Sequence, residues 1–125
     1  MYSHLTIGSN DIPRSKAFYD ALMATLGGKP GTVDQRGWVI YSHNGGLLIV
    51  LPPIDGKPAT HANGGTIGFK MDSAEQTKAW HDAGVANGGT SIEEPPGVRP
   101  SGLFLAYLRD PDGNKLCGLY RAPKA

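Results

Sequence analysis

The stretch FLAYLRDPDGNKLCGLY, residues Phe104 to Tyr120, decides how the chain is read: an apolar run enters Asp110-Pro111-Asp112-Gly113-Asn114 and a second apolar run leaves it. Pro111 fixes φ near the start of the turn, the Asp side chains can accept from nearby backbone N–H groups, and Gly113 or Asn114 can take positive φ. These signals predict a β-hairpin. A hairpin alone fits any β protein, and this one gains meaning because the rest of the chain reads as if written twice.

Before the hairpin lies a Gly/Pro-rich loop, Thr90 to Leu103, and before that a strand from Thr66 to Met71 and a helix from about Ser73 to Asn87. Ser73 and Gln76 fit a capping box, Gly84 weakens the helix interior, and Gly88-Gly89 ends it. The N-terminal half opens in the same way. His4 to Gly8 alternates as a strand, with Leu5 and Ile7 on one face and His4 and Thr6 on the other. A helix of roughly residues 11 to 26 follows, capped by Asp11 or Asn10, with Pro13 in its first turn and Gly27-Gly28 at its end. Ala17, Phe18, Ala21, Leu22 and Leu26 form its apolar stripe. Three short strands are expected at about 31–35, Trp38 to Tyr41 and Leu47 to Leu51, the last two joined by Ser42 to Gly46.

The two halves align residue by residue. His4 to Gly8 matches Thr66 to Lys70, and Phe18 to Ala21 matches Trp80 to Ala83, both at a spacing of 62 (66 − 4 and 80 − 18). Gly45 to Ile49 matches Gly113 to Cys117 at 68 (113 − 45), which allows for a longer loop in the second half. Each half reads strand, helix, strand, strand, strand. Neither is large enough to bury a sheet face alone, so the two are expected to share one apolar layer as a single α+β domain. Module one covers about 3–53, the aperiodic connector 54–65, and module two about 66–121.

Composition narrows the function classes. With 125 residues, 39% hydrophobic and 18% charged, the chain can build a core, while 18 Gly and 10 Pro favour turns over long helices. A net charge of +1 and the lack of basic clusters interleaved with aromatics argue against nucleic acid. The N-terminus lacks the basic segment and apolar run of a secretory signal, and no run approaches a membrane span, so a cytoplasmic protein is expected. Cys117 is the single cysteine, which rules out an internal disulfide and a Cys-pair metal motif.

The paired modules, the opening His4 strand with Asp11 to Tyr19 (Asp-Ile-Pro-Arg-Ser-Lys-Ala-Phe-Tyr) and the closing Tyr107-Leu-Arg-Asp-Pro-Asp-Gly-Asn-Lys-Leu resemble the vicinal oxygen chelate superfamily. This is the glyoxalase, bleomycin-resistance and extradiol-dioxygenase group. The resemblance, over roughly residues 3 to 121, implies a curved mixed sheet around an inter-module cleft, a homodimer, a small organic ligand and, in many members, a divalent metal held by the first and last strand of each module. The corresponding positions here are His4, Ile49, Thr66 and Cys117. His4 is an ordinary ligand, Ile49 cannot coordinate, Thr66 stands where related sequences have His, and Cys117 where they have Glu.

Two readings stay open. One is a lyase- or dioxygenase-type enzyme with a degenerate site for Zn, Ni, Mn or Fe at His4 and Cys117, where Cys117 could also serve as a nucleophile if activated. The other is a metal-independent protein that binds or sequesters a small molecule, as the bleomycin-binding members do. Around the cleft, Trp38, Tyr41, Phe104 and Tyr107 offer aromatic surface, with only one of each pair able to face it. Substrate contacts are expected from Thr66, Ile49, Trp38 and Tyr107, and from Arg99, which the stiff loop 93–100 would bring to an anionic ligand. His43, His61 and His81 are expected at the surface, His61 with a lean toward the cleft.

Overall fold

The computed structural model describes residues 1–123. Strand β1 (Leu5–Gly8) leads into helix α1 (Ile12–Thr25), followed by β2 (Thr32–Val33), β3 (Val39–His43) and β4 (Gly46–Leu51). After the connector come β5 (Ile67–Met71), α2 (Ala74–Ala86), β6 (Thr90–Ser91), β7 (Gly97–Val98), β8 (Phe104–Arg109) and β9 (Lys115–Tyr120). The helix caps follow from local chemistry. Asp11 accepts from Arg14 N–H and Ser73 from Gln76 N–H, so each supplies a partner for a free first-turn donor. Gln76 returns its Oε1 to the N–H of Asp72 rather than that of Ser73, one residue earlier than a regular capping box, and donates Nε2 to Thr25 O. The end of α1 is thereby tied to the start of α2.

Two open mixed sheets result, in the orders β1-β4-β3-β2 and β5-β9-β8, with β6 and β7 both on the far edge of β8. In each, the first strand pairs parallel to the last and the remaining pairs are antiparallel. Leu5↔Leu48 and Thr6↔Ile49 in one sheet recur as Ile67↔Leu116 and Gly68↔Cys117 in the other, the same spacings of 62 (67 − 5) and 68 (116 − 48) seen in the repeat. The structure departs from the sequence reading at Thr90 to Leu103, read as loop: this segment is an edge strand broken in two. Ile92 N–H still donates to Tyr107 O, after which Glu93 at φ 57 and Pro95-Pro96 lift the chain off β8 until Gly97.

Both helices cover the inner faces of the sheets and pack on each other. Phe18, Tyr19 and Leu22 of α1 are fully buried with Trp80 of α2 and Leu108 and Leu116 of the last hairpin, so one apolar cluster spans both modules. Gly84 permits this approach: a Cβ there would lie 2.4 Å from Leu108 Cδ1.

The Asp110 to Asn114 turn is a clasp between modules. Asp110 Oδ1 accepts from the N–H groups of Asp112 and Asn114 and so holds the turn, while its Oδ2 accepts from Tyr19 Oη at 2.5 Å. Asp112 accepts from Asn10 N–H at 3.0 Å, Arg14 Nη2 at 2.9 Å and Ser15 Oγ at 3.1 Å. Its carboxylate is only 2% exposed. Burial, followed by the charge of Asp110, holds the Tyr19 hydroxyl well above its ordinary pKa, so it stays a proton donor.

Candidate functional site

Strand alternation assigns the side chains to faces. Ile7, Val39, Tyr41, Leu48 and Val50 turn toward the helices and are buried. Thr6, Ile40 and Ile49, a row set by the pairing Thr6↔Ile49↔Ile40, turn to the opposite, open face, and His4, two residues before Thr6, shares it. In the second sheet the matching row is Gly68↔Cys117↔Tyr107, with Thr66 in the place of His4. Tyr41 therefore leaves the open face. Its hydroxyl donates to Asp20 Oδ1 at 2.7 Å, and Phe104 likewise faces α2, with Lys78 Nζ 5.7 Å from its ring.

The open face of the second sheet gathers several candidates. Tyr107 lies directly opposite Cys117, Lys115 Nζ stands 4.9 Å from the Tyr107 ring, and the Lys115 ammonium pairs with the Glu93 carboxylate. Burial pushes the Cys117 thiol up, outweighing the Tyr107 hydrogen bond and the nearby Lys115 and Arg99 charges. Burial also raises Tyr107, assisted by Cys117. A raised thiol is a protonated one and a poor nucleophile at neutral pH.

The other candidates stand apart. Nδ1 of His4, which is exposed, shares a hydrogen bond with Ser3 Oγ at 2.7 Å. Trp38 stacks under the Arg36 guanidinium at 3.4 Å. Arg99 donates to the carbonyls of Glu94, Pro95 and Gly97, so its guanidinium fastens its own loop. His81, expected at the surface, is buried, with Nε2 at 2.8 Å from Ser91 Oγ, because α2 lies over β6. His61 packs on the hairpin turn: a Cβ on Gly113 (φ +92) would meet its Nδ1 at 2.8 Å.

The donor set fits a divalent metal poorly. One imidazole, one buried thiol, one hydroxyl and one hydrocarbon occupy the four positions, and among the described residues no three His, Cys, Asp or Glu side chains group so as to hold an ion.

Two hollows lie near β5, one against the strand itself and one at the segment 61–66 that leads into it. The larger, about 420 Å³, lies where the modules join and has apolar walls of Leu5, Tyr41 and Leu48 from the first sheet, Met23 from α1, and Ile67 and Phe69 from β5. His43, Lys70 and Gln76 add polar groups. The smaller, about 240 Å³, is lined by residues 61–66 with Arg109 and Lys115. Of the candidates singled out in sequence, Thr66 and His61 line the second and Tyr41 and His43 the first. The resemblance implies an inter-module cleft, but the sequence does not mark the aliphatic walls of the large hollow, which are ordinary strand hydrophobics. For the small one a signal existed: Arg109 and Lys115 flank a five-residue turn and so must face each other.

This fold defines a protein of paired βαβββ modules, and the family model of the glyoxalase/bleomycin resistance protein/dioxygenase superfamily matches residues 2–117. The chain belongs to that superfamily. It is similar to a glyoxalase/bleomycin resistance protein from Albidiferax ferrireducens T118, at 53% identity over 98% of this chain and 99% of that one, with a TM-score of 0.93. A glyoxalase-related enzyme from Fulvimarina pelagi shares the fold at 20% identity over 97% and 88% of the two chains, TM-score 0.77. So does the lactoylglutathione lyase from Agrobacterium tumefaciens, at 20% identity over 96% and 92%, TM-score 0.66. No curated protein matches the chain.

Proposed function

We propose that the protein binds a small, largely apolar organic molecule in the hollow between its modules, without a metal. The observation that supports this most is the hollow itself. Its 420 Å³ falls within the range of small-molecule pockets, both modules contribute its apolar walls, and a few polar groups stand among them. The donor set at His4, Ile49, Thr66 and Cys117 supports the metal-free form of the reading over a lyase or dioxygenase, since those reactions ask for a Lewis acid.

A fragment screen by thermal shift, with a blocked variant as control, tests it. Leu5 lines the hollow from β1 on the same face as Leu48 and is 39% exposed, so Leu5→Trp can extend into the space without overpacking the core. Ligands that bind only the folded chain raise its Tm by mass action. Aromatic fragments are expected to raise the Tm of the parent protein and not of Leu5→Trp; equal shifts in both would refute the assignment. Elemental analysis after exchange against Zn²⁺, Ni²⁺, Mn²⁺ and Fe²⁺ is expected to find far less than one ion per chain. A stoichiometric ion lost in His4→Ala would overturn the metal-free reading.

A further inference from the structure

The smaller hollow has a different chemistry, and it does not depend on the reading of the larger one. Arg109 and Lys115 are a directly opposed pair in the β8–β9 ladder. Like charges placed so on one face of a sheet repel and weaken the pairing unless something balances them. Glu93 balances Lys115. Arg109 has no carboxylate partner among the described residues, and its guanidinium donates to the Gly113 carbonyl at 2.7 Å, a neutral acceptor.

The rest of the lining is suited to the same charge. His61, Asn63 and Thr66 supply side-chain donors, and no carboxylate lines the hollow among the described residues. The lining also includes Gly64 (φ +97), whose N–H is without a partner among the described residues, and Gly65, at the end of the Asn63-Gly64 turn. A backbone N–H exposed at a glycine turn adds a donor to an anion-accepting concavity. His61 fixes the connector against the hairpin turn at Gly113, so the glycine loop and the two cations are held together as one site.

We infer that this hollow is a binding site for a small oxyanion, a phosphate or carboxylate group, held by Arg109 and Lys115 from the hairpin and by the 61–66 loop from the connector. The group is free phosphate, or the anionic end of a phosphomonoester or an organic acid. Arg109 provides the fork that matches two oxygens at once, and Lys115 the point charge beside it.

Residue-resolved amide NMR titration of the full chain at constant ionic strength tests this. The probes are inorganic phosphate, phenyl phosphate and citrate, with benzyl alcohol as the neutral control. Saturable shifts centred on residues 61–66 and 109–115 are expected with at least one anion and not with benzyl alcohol. Phosphate and phenyl phosphate acting alike would identify the phosphate group itself, and citrate alone a carboxylate. Arg109→Gln is expected to weaken binding by about tenfold or more, the effect of losing a charge-assisted hydrogen bond, and Arg109→Lys by less. Since Arg109 also braces Gly113, Lys115→Gln provides an independent variant with the same expected direction. No saturable shift at 61–66 with any of the three anions would overturn the site, and so would affinity unchanged in both Arg109→Gln and Lys115→Gln. Shifts confined to Leu5, Leu48 and Ile67 would overturn it while leaving the larger hollow intact as a ligand site.

Discussion

Cys117 shows how a residue can sit at a suggestive position and still be chemically quiet. It faces Tyr107 on the open side of β9, only 7% exposed, and burial raises its pKa above the ordinary 9.0. Alkylation by iodoacetamide at pH 8 is therefore expected to run slower than that of free cysteine and to climb only at more alkaline pH; a rate equal to or above that of free cysteine would reopen the nucleophile reading. Asp20 is the opposite case. Burial alone would raise its pKa, but the Gly31 N–H, Lys16 and Tyr41 hydrogen bonds and the Lys16 charge outweigh that and hold it below the ordinary 3.8. The folded chain then binds fewer protons at Asp20 than the unfolded chain does. Its contribution to stability is complete above the unfolded value and disappears as the pH falls through the lower folded one. Asp20→Asn should lower stability at pH 7 by about 1–3 kcal/mol, the cost of disturbing a partly buried hydrogen-bonded group. It should also make acid unfolding below pH 3.8 less steep, measured by urea unfolding across that range.

At the level of elements, Gly84 sets two effects of α2 against each other. In an exposed helix Gly→Ala gains about 1 kcal/mol from propensity. Here the new Cβ would lie 2.4 Å from Leu108 Cδ1 and 3.3 Å from Leu22 Cδ2, and both leucines are fully buried. Overpacking costs about 1–3 kcal/mol and outweighs the gain in propensity. Gly84→Ala is thus expected to lower the denaturation midpoint, and a stabilised variant would show that α2 can move off β8. Sequence patterning made this helix legible, including its Ser73 cap and glycine stop, because those signals are local. It could not show why a glycine interrupts it, since Leu108 enters from the other end of the module. The broken edge strand was illegible for a related reason: β6 and β7 are two residues each, too short for alternation, and exist only through pairing with β8. For the candidate site, the repeat placed His4 and Thr66, and Ile49 and Cys117, at equivalent positions, but it did not mark the residues that wall the larger hollow against β5.

Across the whole molecule, the Asp112 clasp and the shared core make the two modules one cooperative unit. Phe18 and Leu22 from module one and Trp80 and Leu108 from module two belong to one buried cluster, so neither module retains an apolar core without the other. Separating them would also free the N–H of Asn10 and the hydroxyl of Ser15 from Asp112, whose carboxylate is 2% exposed. In Asp112→Ala the Arg14 guanidinium, on a side chain already 46% exposed, regains water, whereas the Asn10 and Ser15 donors lose their acceptor. The expected cost is about 2–4 kcal/mol, from charge-assisted hydrogen bonds of roughly 1.5–3 kcal/mol each, partly compensated by water. That is a large part of the roughly 5–15 kcal/mol available to a domain of this size. Because the core still joins the modules, the variant should unfold in a single transition at lower denaturant, by fluorescence of Trp38 and Trp80 and by circular dichroism alike. Residues 1–62 expressed alone should give a poorly dispersed amide spectrum. Two separated transitions in Asp112→Ala, or a dispersed spectrum for the fragment, would mean that the modules fold independently and that the clasp only docks them.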